Sequence, residues 1–127
     1  MAINRVLKFD AIAERRMPNG AAIRPLVDAE SCGAGIKTNT VTFPPGHAVE
    51  FHRHNCNEMI MVLAGDCAVE IEGEERIALK PFDTVSVAAG TWHRFLSIGV
   101  TPFTLLAIYD ATRVERTLRQ SGKTTID

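Results

Sequence analysis

At 127 residues and 46% hydrophobic, the chain has apolar content for one core and too little length for two ordinary domains. Lys and Arg number 14 against 15 Asp and Glu, a net charge of -1 without any basic cluster, which argues against nucleic acid as a partner. The 3 cysteines lack a C-x-x-C pairing, which argues for reduced thiols in a cytoplasmic setting, and the longest apolar run, Met59 to Ala64, suits neither a signal peptide nor a membrane span.

In chain order, Asn4 to Phe9 read as a short edge strand, and Asp10 as the N-cap of a helical turn over Ala11 to Arg15, closed by Pro18-Asn19-Gly20. Ile23 to Val27, interrupted by Pro25, reads as an edge strand and Glu30 to Gly35 as a loop. Lys37 to Phe43 alternates Thr38, Thr40 and Thr42 against Asn39, Val41 and Phe43, as a strand should. Pro44-Pro45-Gly46 then turns the chain into its most informative stretch. His52 and His54 lie two residues apart, so on a strand both imidazoles leave one face with roots roughly 6–7 Å apart, close enough to share an ion. Asn55, Cys56 and Asn57 break the pattern, and Glu58 opens the run Met59 to Leu63, so that a tight connection and a second strand bring the carboxylate back beside the imidazoles.

After Gly65, Cys67, Val69 and Ile71 alternate with Glu70 and Glu72, and Gly73-Glu74-Glu75 turns into a strand over Arg76 to Leu79. Pro81 stops it, Thr84 to Val87 starts another, Ala89-Gly90 turns the chain, and Trp92 to Ile98 and Phe103 to Tyr109 supply two more. Many short strands punctuated by Gly and Pro, without a long helix, predict an all-β sandwich or barrel. One domain spans residues 1–127, with its core at about 36–110, an N-terminal strand and turn segment over 1–35, and a polar tail over 111–127 that fits a helical turn, a strand across a partner subunit, or disorder.

The order Gly46, five residues, His52, Arg53, His54, three residues, Glu58, six residues, Gly65 matches the first cupin motif, and Asp83, Gly90 and His93 sit where the second motif has its Asp, Gly and His. The chain therefore resembles a small single-domain cupin. It departs from the second motif at Phe82 (usually Gly), Ala88 (usually Pro) and Ser97 (usually Asn), none a ligand position. The resemblance implies a double-stranded β-helix, the jelly-roll barrel, with His52, His54, Glu58 and His93 holding a divalent ion: iron, manganese, nickel, cobalt or zinc. Three neutral imidazoles and one carboxylate leave such an ion with a formal charge of about +1, and a six-coordinate ion keeps about two positions open. Because the imidazoles must be neutral to coordinate, affinity is expected to fall below about pH 6.5.

Parity along the strands places Ile60 and Val62 with Glu58, Phe95 with His93, and Glu50 with His52, which makes the first three substrate-pocket candidates and Glu50 a candidate general base. His47 reads as a solvated histidine outside the ligand set, and Cys56 as an inert buried thiol. Met59, Met61 and Leu63 form an opposite apolar stripe, which predicts a homodimer. The resemblance implies a metal-dependent enzyme of dioxygenase type acting on a small oxygenated organic molecule, with a non-catalytic cupin binding a metabolite or an ion as the alternative. A nucleotide-sugar epimerase would need a His/Asp or His/Tyr arrangement that the sequence does not place.

Overall fold

Short segments apolar on alternate residues can bury only one side, and this chain satisfies them by stacking two antiparallel sheets face to face. The computed structural model describes residues 1–127 and contains 12 strands. They are β1 (Arg15–Arg16), β2 (Ala22–Pro25), β3 (Lys37–Phe43), β4 (His52–His54), β5 (Glu58–Ala64), β6 (Cys67–Ile71), β7 (Ile77–Leu79), β8 (Thr84–Val87), β9 (His93–Ser97), β10 (Phe103–Tyr109), β11 (Glu115–Leu118) and β12 (Thr124–Ile126). One sheet has the order β1-β2-β3-β10-β5-β8 and the other β12-β11-β4-β9-β6-β7. Phe43, Ile60, Val62 and Leu105 of the first sheet pack with Cys67, Val69 and Phe95 of the second in one core cluster. This is the all-β jelly roll that the resemblance implies.

Two turns show how backbone conformation fixes the strand ends. Gly65, between β5 and β6, has φ 80, and a Cβ there would lie 2.3 Å from the Pro102 carbonyl oxygen, so the close of the first motif must be glycine. Phe82 also adopts a left-handed φ of 75, the conformation for which glycine is the usual occupant, and its ring stays 75% exposed while its N–H donates to the Val62 carbonyl at 2.7 Å. The turn thus survives the substitution at the cost of local strain.

Several expectations are corrected. Asn4 to Phe9 forms no strand: Val6 and Phe9 are exposed, so no buried face sets a register, and Phe9–Ala11 makes a single 3-10 turn with Asp10 inside it. Glu30 to Gly35 is not all loop. A one-turn helix, α1 (Ala29–Cys32), is held by a reciprocal capping box in which Ser31 N donates to Asp28 Oδ1 at 2.7 Å and Asp28 N to Ser31 Oγ at 3.2 Å. Strand β2 is not the edge, since β1 lies outside it. The tail is ordered as the β11–β12 hairpin, and β11 pairs with β4. The segments flanking residues 36–110 are therefore extensions of the two sheets.

Candidate metal centre

Strand β4 lies between β11 and β9, and this position assembles the histidines. His52 stands opposite His93 on one side and Leu118 on the other, while His54 faces Arg116. Residues opposite one another in paired strands point to the same side of the sheet, so three imidazoles leave one face. Glu58 comes from the facing sheet, where it pairs with Tyr109 of β10 and Val87 of β8. The tight connection between His54 and Glu58 crosses from one sheet to the other, so the second strand brings the carboxylate to the imidazoles across the interior. The asparagines of the crossing tie it down. Asn55 accepts from Glu115 N and donates to the Arg113 carbonyl, and Asn57 holds both Asp110 and the N–H of Ala89.

Each histidine is oriented through its Nδ1. The Nδ1–H groups of His52, His54 and His93 donate to the carbonyls of Glu50 at 2.8 Å, Glu115 at 3.1 Å and Thr91 at 2.8 Å. That fixes the tautomer and aims the Nε2 atoms inward, the arrangement usual for imidazoles that bind metal. The three rings offer nitrogens all within 4.8 Å of one another. His54 Nε2 is buried without a hydrogen-bond partner, which costs free energy unless something fills the space before it. Glu58 Oε1 lies 3.0 Å from His93 Nε2, and Oε2 lies 3.7 Å from His54 Nε2. Neutral nitrogen donors beside one carboxylate oxygen set suit a divalent transition ion, so the residues fit the metal that the resemblance implies.

The electrostatics agree with that chemistry. Burial, helped by the charges of His93 and Arg116, holds the His52 pKa down to about 3, and burial also lowers His54 against the pull of Glu58. Burial pushes the Glu58 carboxyl up, but the hydrogen bond from His93 and the charges of His54 and His93 outweigh it and leave the group below its ordinary range. Burial thus favours the neutral imidazole at His52 and His54, and the neighbouring groups favour the carboxylate at Glu58, the forms in which these groups coordinate.

A cavity of about 120 Å³ opens beside these groups, lined by His52, His54, Glu58 and an apolar wall that includes Ile60, Phe95 and Leu105. Ile60 and Phe95 thus take the pocket positions expected of them. Val62 does not: it is fully buried in the core away from the cavity wall. Glu50 is also corrected as a general base. Its side chain is exposed and lies in an outer groove with Phe51, Arg94 and Arg119, because only its carbonyl turns inward to His52. His47 is half-buried and stacks on Phe43 at 5.0 Å, so it is not solvated. Cys56 is buried, and burial with the charges of Asp110 and Glu58 pushes its thiol up to about 11.

Several cavity residues escaped sequence reasoning, among them Tyr109, Arg116 and Asp127. Tyr109 packs edge-on against His54 at 5.1 Å, a His/Tyr contact that the sequence had not located. Parity with Ala107 and Leu105 along Phe103 to Tyr109 could have placed Tyr109 inside. Arg116 and Asp127 carried no such signal, since the register of the tail depends on its pairing with β4.

Comparison with known proteins agrees with the geometry. A family model described as a cupin domain matches residues 39–109. A 5-nitrosalicylic acid 1,2-dioxygenase from a Bradyrhizobium species is 32% identical over 66 residues, which is 52% of this chain and 31% of that protein, so the chain spans about a third of its length. Among solved structures, a sugar phosphate isomerase of the cupin superfamily from Silicibacter pomeroyi superposes with a TM-score of 0.78 at 20% identity, covering 97% of this chain and 92% of that one. The oxalate decarboxylase of Bacillus subtilis, described with Mn(II) centres, superposes with a TM-score of 0.71 at 19% identity, covering 81% of this chain and 29% of that one.

Proposed function

This chain belongs to the cupin domain family, and from that premise we propose that it is a metal-dependent enzyme of dioxygenase type acting on a small oxygenated organic molecule, with His52, His54, His93 and Glu58 holding one divalent ion. The observation that carries the reading is the anchoring of all three Nδ1 atoms on backbone carbonyls, which turns the three Nε2 atoms toward one another beside a buried carboxylate. The Mn(II) centres of the decarboxylase and the dioxygenase activity of the Bradyrhizobium relative support the same direction. A bound ion would supply Lewis acidity toward a ligand oxygen and, if redox-active, electrons for dioxygen chemistry. The protein side chains would do the rest. Ile60, Phe95 and Leu105 exclude water around the ligand, Tyr109 presents a hydroxyl beside Glu58, and the backbone carbonyls keep the rings from rotating.

One observation favours the non-catalytic alternative: with Glu50 turned outward, no carboxylate other than Glu58 and Asp127 lines the cavity to move a proton. The two readings differ in whether small molecules reach the ion. Iron(II)-loaded protein is expected to bind nitric oxide, with a spectrum that a small 2-oxo acid perturbs. An iron spectrum unchanged by both would remove the oxygenase reading and leave the binding protein.

A further inference from the structure

All but one of the arginines in this fold are paired, stacked on a ring or exposed to solvent. Arg16, Arg24, Arg76, Arg94 and Arg119 form ion pairs with Glu14, Asp10, Glu70 or Glu72, and Arg53 lies over the Trp92 ring at 4.6 Å. Arg116 differs. It is half-buried, lines the cavity that holds the histidines, and has neither an ion pair within 4.0 Å nor a side-chain hydrogen bond, and its Nε is sealed from solvent without any partner. Arg94 Nε is similarly sealed, but its guanidinium is paired through Nη2 with Glu70 at 3.2 Å. A guanidinium has five donors and no way to lose its charge, so a sealed Nε without an acceptor is costly unless an anion completes it.

Its placement points to a ligand. Strand β11 sets Arg116 directly opposite His54, so the guanidinium and the imidazole leave the same face of the sheet. Arg15, on β1 of the other sheet, lines the same cavity and likewise has no ion pair. Asp127 lines it too, but the partner it does have is Lys37, which donates to its backbone oxygen. Both arginines lie outside residues 39–109, so they belong to what this chain adds around the matched domain.

We propose that Arg116 is the carboxylate-recognition residue of this cavity, assisted by the charge of Arg15, and that the ligand is a small organic acid whose carboxylate pairs with Arg116 while a second oxygen faces the imidazole nitrogens. The inference rests on the metal-centre reading for the second oxygen alone. Size narrows the class. A cavity of roughly 150 Å³ accommodates benzene, so about 120 Å³ admits a hydroxy or oxo acid of a few carbons. The apolar wall of Ile60, Phe95 and Leu105 suits its hydrocarbon part.

The test compares acids with their uncharged amides, lactate against lactamide, in calorimetric titrations of metal-free and manganese-loaded protein, with metal content measured for every variant. Lactate is expected to bind both forms, and to bind the loaded form more tightly. Arg116→Gln should weaken lactate about ten- to hundred-fold, as loss of a charge-assisted bidentate contact does, while leaving lactamide affinity and metal content unchanged. Arg116→Lys keeps the charge without the fork, and should fall between the two; it also serves if the Gln variant does not fold. Equal lactate affinity in wild type and Arg116→Gln, or no lactate binding to wild type at millimolar concentration, would overturn the proposal. A wild type that binds lactate through Arg116 yet takes up no manganese would uphold the anion site and refute the metal centre, so the two failures are distinguishable.

Discussion

Acidifying the metal-free protein probes the buried imidazoles directly. In the unfolded chain His52 titrates near 6.5, whereas burial and neighbouring charge hold it near 3 in the fold. Above pH 6.5 both states carry a neutral ring and the site favours neither. Below it the unfolded chain takes up a proton that the folded protein refuses, so stability falls by about 1.36 kcal/mol per pH unit until the folded pKa is reached. Between about pH 7.5 and about pH 5 this amounts to roughly 2 kcal/mol from His52 alone, and His54, also lowered, acts in the same direction. With a urea slope of about 1–3 kcal/mol/M, the unfolding midpoint should drop by about 1 M. His52→Asn keeps a donor for the Glu50 carbonyl and removes the titration, so its midpoint should lose most of that dependence. A wild-type midpoint that does not move over this range, or moves equally in His52→Asn, would refute the assignment. The same shift revises the expectation that metal affinity falls below about pH 6.5: proton competition at His52 should wait until far lower pH, and unfolding should intervene first.

Two further outcomes follow from the fold. Phe82→Gly relieves a left-handed φ worth about 1–2 kcal/mol and adds unfolded-state entropy worth about 0.5–1 kcal/mol, so the variant should be more stable by up to about 1 kcal/mol in urea unfolding; a less stable variant would show that the exposed ring is engaged elsewhere. Leu63 is exposed while Met59 and Met61 are half-buried, so the proposed homodimer should appear in light scattering as twice 13.9 kDa at micromolar concentration, and Leu63→Lys should shift it toward a single chain.

Much of the fold could be read in advance because its strands are short and half-buried, and alternation reports that directly. Lys37–Phe43 and Phe103–Tyr109 have the expected bounds. His52, His54 and Glu58 were legible through spacing, His93 through the resemblance to the second cupin motif, and Ile60 and Phe95 through parity. What failed depended on partners that local pattern does not encode. Glu50 shares parity with His52 but precedes β4, where the backbone does not continue the strand, so parity lost its meaning. Val62 keeps the parity of Ile60 yet lies further along β5, beyond the reach of the cavity. Arg116 became a cavity residue only through the pairing of β11 with β4, a long-range contact between segments whose sequences carry no mark of each other. The capping box at Asp28 and Ser31 was visible in principle but spans too few residues for periodicity to reveal it.

Elemental analysis of protein purified without added metal or chelator, alongside a His52→Ala, His54→Ala double variant, tests the metal centre most directly. One divalent ion per chain in the wild type, lost in the double variant while its strand content by circular dichroism persists, is the predicted result. Wild-type protein that carries well under one ion per chain and cannot be reconstituted at neutral pH, or a double variant that retains its metal, would contradict it.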